Sequence, residues 1–189
     1  MNGGRGEIIP LGSTGRAVDA YREAGGVVEF TLVSTPPGDE ARRHRVAAVR
    51  ALRHLEPDGI DEDRATGEPI DVATLLGRAY DHEAGAIVSM WTEHDTGGSK
   101  SLVDPIGYAE AFSDPPYRVR ADLAQINEWF TAINRDLLGG LDDDLEIWTW
   151  STDWSPWFDL GHEWWGACHW TLHRPGLPWV TVISASTTD

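Results

Sequence analysis

Apolar and polar residues alternate singly along Val27–Ser34, where Val28, Phe30 and Leu32 are set against Glu29 and Thr31. A two-residue period of this kind predicts a half-buried strand. Pro36-Pro37-Gly38 ends it, and the period then changes. From Asp39 to about Leu55, Val46, Val49, Leu52 and Leu55 recur at helical spacing, with Asp39 as the cap and Pro57 as the stop. A third pattern runs from about Ala121 to Leu138, where Leu123, Ile126, Trp129, Phe130, Ile133 and Leu137 form one apolar stripe that Gly139-Gly140 closes.

Shorter signals fill the intervals. A helix through Tyr21 follows Ser13 or Thr14 as its cap and ends at Gly25-Gly26. Residues 57–69 are polar and read as a surface loop. Ile70–Asp81 carries Val72, Leu75, Leu76 and Ala79 and predicts a helix; Ala86–Glu93 predicts a strand. The stretch from His94 to Pro116 reads as a long connection with one helical turn at Ile106–Phe112. After Asp142-Asp143-Asp144 come three strand candidates, Leu145–Ser151, Trp165–His173 and Trp179–Ala185, the last two joined by Arg174-Pro175-Gly176-Leu177-Pro178. Residues 1–12 are Gly-rich and predicted irregular, apart from a short strand at Glu7–Ile9. Helices and strands do not alternate regularly, and no composition shift marks a linker. The expectation is one compact domain over 1–189, of the α+β class: an antiparallel sheet ending in a C-terminal three-stranded meander, with helices packed mainly on one face.

Composition narrows the function classes. The 189 residues carry 15 basic and 31 acidic side chains, a formal net charge of −16, which argues against a nucleic-acid footprint. One Cys allows neither an intrachain disulfide nor a Cys-based zinc site. No stretch approaches the ~18–20 apolar residues of a membrane span, and Met1–Pro10 lacks the apolar core of a signal peptide, so the expected location is the cytoplasm, with no membrane partner.

Charge and tryptophan are concentrated together. Nine of the ten Trp lie between Trp129 and Trp179, and residues 101–189 hold 4 basic groups against 14 acidic ones. The densest segment is 153–166, whose candidate partner- or ligand-binding residues are Asp153, Trp154, Trp157, Asp159, His162, Glu163 and Trp164. It reads as a loop between two strands, where indole faces can stack on a ligand and carboxylates accept hydrogen bonds. The competing reading makes these indoles core residues with the acids facing water. As a catalytic site, Asp159 and Glu163 would supply acid and base beside an apolar wall, with His162 at hand.

Metal chemistry finds little support. On a strand from Trp165 to His173, His169 and His173 share a face but stand about 13 Å apart at ~3.3 Å per residue, while Cys168 points the other way, toward Trp170 and Leu172. His162-Glu163 lacks the second His of a zinc-peptidase helix. No metal and no cofactor is expected. Glu93-His94-Asp95 before Gly97-Gly98-Ser99-Lys100 resembles a base beside an anion loop, but the spacing is not that of a P-loop. The Arg-rich helix, Arg42 to Arg53, is the one basic cluster, and internal charge balance is its simplest role. No Gly-x-Ser-x-Gly elbow occurs.

Two function classes follow. The first is a non-enzymatic acidic binding protein that covers a basic protein partner. In composition it is similar, at the level of class, to immunity-type inhibitors that mask a cationic active site; no motif residue carries over. The alternative is a small hydrolase built on the Trp-lined carboxylate and His groups of 153–166.

Overall fold

The computed structural model describes residues 6–88, 106–164 and 166–186, without the side chains of Ser13, Thr14, Glu163 and Trp164. Six strands form one antiparallel sheet: β1 (Ile8–Ile9), β2 (Val28–Ser34), β3 (Gly67–Pro69), β6 (Glu146–Trp150), β7 (Ala167–His173) and β8 (Trp179–Ser186), in the order β1-β2-β8-β7-β6-β3. The last three in sequence are neighbours, which is the expected meander. Beside the sheet, β4 (Tyr80–Asp81) and β5 (Ala86–Ile87) pair as a small hairpin.

The alternation of β2 sorts its residues between two faces. Val28, Phe30 and Leu32 join Trp170, Leu172, Ile147 and Ile183 in the larger core, against α1 (Arg16–Glu23), α3 (Val72–Leu76), α4 (Tyr108–Ser113) and α5 (Leu123–Leu138). Val33 faces the other way with Val180 and Val182, and α2 (Glu40–Leu55) covers them through Ala47 and Ala51. Four helices therefore share one face, and α2 lies on the other with α6 (Asp159–Trp164).

The two long helices start where a carboxylate can take up an end N–H. Asp39 accepts from Arg42 N–H at 2.9 Å and Asp122 accepts from Gln125 N–H at 2.8 Å. In α5, Ile126, Phe130, Ile133 and Leu137 are buried, each stabilising the fold by about 1.5–3 kcal/mol on transfer arithmetic. Its C-terminal carbonyls are met from the sheet: Trp179 Nε1 and Thr181 Oγ1 both donate to Leu137 O at 2.9 Å, and Arg174 Nε donates to Leu138 O at 2.7 Å. Arg174, the sole Lys or Arg after Arg135, is thus a helix-end ligand that also binds Asp142.

Three local expectations change. Helix α1 starts at Arg16 after a 3₁₀ turn over Gly12–Gly15, with Gly15 at its N-cap position; the side chains of Ser13 and Thr14, the expected caps, lie outside the described residues. Over 70–81 only Val72–Leu76 is helical: Gly77 has φ +69° and sits against Gly107, where an added Cβ would lie 2.8 Å from Gly107 Cα, so the chain turns out and Tyr80 enters the hairpin. The polar run 57–69 contains a 3₁₀ turn, Glu62–Arg64, and the edge strand β3.

Candidate functional site

The segment after β6 is not an open loop. Trp154 is 1% exposed and Phe158 0%, and both pack with Val49, Leu52 and Ala65 beneath α2. Their rings meet the edge of His169 at 5.7 and 5.6 Å. Trp154 Nε1–H donates to Ser151 O, which folds the chain back on itself. Pro156 then opens a 3₁₀ turn, capped by Ser155 Oγ accepting from Trp157 N–H, and α6 follows. With these two anchors inside, Asp153, Pro156, Asp159, Leu160 and His162 are turned outward.

Of the expected site residues, Asp153, Trp157, Asp159 and His162 reach the surface of this short segment, Trp157 half-buried and edge-on to Phe158 at 4.9 Å. Trp154 lies in the core. Glu163 and Trp164 belong to α6 by backbone, but their side chains, like all of Trp165, are outside the described residues. His162 Nε2 hydrogen-bonds Thr152 Oγ1 at 2.7 Å, and Asp153 pairs with Arg64.

A second acidic run lies against this segment. The N–H of Asp61 donates to Trp154 O at 2.9 Å, Ser151 N–H donates to Thr66 O at 2.8 Å, and Gly59 leaves only the room of a hydrogen beside Pro156. Asp58, Asp61, Asp63 and Glu68 are exposed there. Arg53 pairs with Glu62, and Arg45 donates to the carbonyls of Glu62 and Ala65. Among the described residues, Asp58, Asp61, Asp63, Glu68 and Asp159 make no ion pair, so the end of the molecule formed by residues 56–68 and 153–160 keeps a surplus of carboxylates.

The polar cluster that composition did not reveal lies between α2 and the sheet. Glu146 Oε2 accepts from Arg43 Nη1 and from His173 Nδ1, each at 2.9 Å, and stands 3.7 Å from His44 Nε2. Burial works to raise the Glu146 carboxyl, but hydrogen bonds from His173 and Arg43 outweigh it and hold the group below its ordinary range. His44 Nδ1 lies 2.8 Å from Thr171 Oγ1, which also accepts from Trp150 Nε1 at 3.0 Å. An indole N–H only donates, so Thr171 Oγ1 accepts there and keeps its own proton and a second lone pair for its contacts with His44 Nδ1 and its other neighbours. Burial lowers His44 to about 4 and keeps it neutral.

Thr171, His44 and Glu146 therefore have the connectivity of a nucleophile, base and acid. Thr171 and His44 are both 0% exposed, however, and the last link is too long for a hydrogen bond. The relay ties α2 to β6 and β7; a substrate has no access to it. The signal for it was present in the chain: His44, Ala47, Ala48, Ala51 and Leu52 fall at i, i+3, i+4, i+7 and i+8 and are the buried side of α2. The stripe expected from side-chain size, Val46, Val49, Leu52 and Leu55, overlaps that side at Leu52, with Val49 buried as well, and is partly rotated from it. Arg43 uses its charge on Glu146 of the acidic half, while Arg45 and Arg53 turn to 62–65.

His169 is a satisfied core histidine: Nδ1 meets Ser184 Oγ at 2.8 Å and Nε2 meets Ala48 O at 3.3 Å. Cys168 lies on the opposite face, where burial pushes its thiol up to about 12. Among the described residues no group of three His, Cys, Asp or Glu side chains is placed to hold a metal ion. No described helix is long and apolar enough to cross a membrane. The Glu93-His94-Asp95 triplet and the Gly97–Lys100 segment lie outside the described residues. Comparison with family models, with curated proteins and with solved structures returns no match.

Proposed function

We propose that the protein is a non-enzymatic binding protein whose acidic end covers a cationic surface of a protein partner, in the manner of immunity-type inhibitors. The observation that carries this reading is the Asp61–Trp154 backbone bond, which sets two acidic runs from distant parts of the chain side by side. Carboxylates gathered in excess of their cations repel one another and cost the fold stability, while a complementary partner turns the same field into faster docking. Trp157, half-buried beside Leu160 at 44% exposure, supplies apolar surface of the type found at interface hot spots.

The test uses the whole protein as bait at low ionic strength and measures association with each partner it recovers. Recovered partners should be basic. Replacing Asp58, Asp61, Asp63 and Asp159 together by Asn should slow association by on the order of tenfold or more and flatten its salt dependence. Recovery of only neutral or acidic proteins, or an unchanged association rate in the neutralised variant, rejects the reading.

A further inference from the structure

The layer beneath α2 is built differently from the larger core. Beside the indoles of Trp148, Trp150 and Trp154 and the ring of Phe158, its apolar side chains are small or aliphatic, such as Ala47, Ala51, Val33 and Val182. Among them are buried three of the chain's seven histidines: His44, His169 and His173. The core on the other face contains no imidazole among the described residues.

Two of these imidazoles hold α2 in place as neutral rings. His169 Nε2–H reaches from β7 to the carbonyl of Ala48 in α2, which leaves its Nδ1 to accept from Ser184. His44 reaches from α2 toward β7, where its Nδ1 hydrogen-bonds Thr171 Oγ1 at 2.8 Å. A proton on either ring turns the accepting nitrogen into a donor and places a charge where almost no water reaches. Around His44, Glu146 of β6 favours that charge while His173 of β7 and Arg43 of α2 oppose it; Glu40 of α2 is engaged by Trp148 Nε1. Around His169 stand Ser184, the Ala48 carbonyl and the rings of Trp154 and Phe158. The carboxylate in register on its face, Glu29 of β2, lies beyond Ser184 and pairs with Arg22.

We propose that α2 is an acid-released helix: protonation of His44 and His169 frees it from the sheet while α1, α3, α4 and α5 stay packed. Burial holds both rings at about 4, against 6.5 when they are exposed. The released state therefore binds protons more readily. Docking of α2 is intact above pH 6.5 and weakens continuously as the pH falls toward 4. Release uncovers Val33, Val180 and Val182 and opens the Arg43–Glu146 pair.

Amide hydrogen exchange on the full chain between pH 7 and pH 5, corrected for intrinsic rates, tests this directly. Protection across Glu40–Leu55 should fall by roughly twentyfold per imidazole from pH 7 to pH 5, and should drop below that of Leu123–Leu138, which opens only with the whole fold. His169→Gln keeps an N–H for Ala48 and an acceptor for Ser184, and should remove about half of the pH response on a logarithmic scale. Constant α2 protection over this range overturns the proposal. So does loss of protection in α2 and α5 together at one rate, and the wild-type comparison decides even where the variant does not fold.

Discussion

The Thr171 hydroxyl and Nδ1 of His44 lie 2.8 Å apart in the middle of the α2 layer, and Trp150 Nε1 donates to the same oxygen at 3.0 Å. One strand hydroxyl therefore satisfies two buried nitrogens on two other elements. Thr171→Val keeps the volume and the strand preference but leaves both nitrogens without a partner. Urea unfolding should show a loss of about 2–4 kcal/mol. Thr171→Ser, which keeps the oxygen, should cost less. If valine is neutral, as at an ordinary central-strand position, the hydroxyl relay contributes nothing to stability.

Glu146 gives a charged counterpart. Its carboxyl is held below the ordinary range in the fold by His173 and Arg43, against the opposing effect of burial. The sign follows from that direction: the contribution is complete above the ordinary carboxylate range and is lost as the pH falls through the lowered value. Glu146→Gln should therefore cost about 1–3 kcal/mol at pH 7, and the gap to wild type should close in acid. Denaturant midpoints of the two proteins at several pH values measure it. A gap that widens toward low pH would contradict the assignment of Glu146 as the ionised hub.

These two sites also show what was readable in the chain. Asp39 stands before a clean helical period and does cap α2; the period of α5 is equally plain, though its cap is Asp122, just inside the expected start at Ala121. The alternation in β2 and the turn residues around 174–178 yield the strands and the meander order. Local signals of this kind reach one element at a time. Of the expected α2 stripe, Val49 and Leu52 are buried, but the buried face also runs through Ala47, Ala48 and Ala51, because a helix lying close on a sheet selects small residues and admits His44 among them. The aromatics of 153–166 are irregular in type and read locally as a loop; Trp154 and Phe158, four residues apart, are a pair of anchors whose partners on α2 and β7 lie far away in sequence. The contact of 56–68 with that segment is a tertiary event with no local signature.

Gly107 marks another such event. A Cβ there would stand 2.6 Å from Leu76 O and 2.7 Å from Gly77 Cα, both backbone atoms that cannot swing aside. Gly107→Ala should push the end of α3 from the start of α4 and cost about 1–3 kcal/mol, the range of overpacked sites. The comparison is Gly176→Ala: its Cβ would meet nothing within 4 Å, and only its φ of +102° is strained. Thermal unfolding of the pair separates steric from conformational cost. Equal losses in the two variants would mean that the α3–α4 contact yields without penalty.

Trp154 and Trp157 are three residues apart in one segment, and the fold gives them opposite roles. Trp154 is 1% exposed, donates its Nε1–H to Ser151 O and fills the space between Leu52, Phe158 and His169. Its truncation to Ala leaves a cavity of indole size and an unfilled backbone acceptor, for a cost of about 3–5 kcal/mol. Trp157 touches the edge of Phe158 and keeps part of its surface in water, so Trp157→Ala should cost only about 1–2 kcal/mol. Binding responds in the reverse order under the acidic-interface reading. Trp157→Ala should weaken partner association in a protein that remains folded, whereas Trp154→Phe, which keeps most of the packing, should leave affinity unchanged. Chemical denaturation and titration of the same variants give both quantities. A Trp157→Ala variant that loses as much stability as Trp154→Ala, and no affinity, would return the indoles of this segment to packing alone and remove Trp157 from the interface.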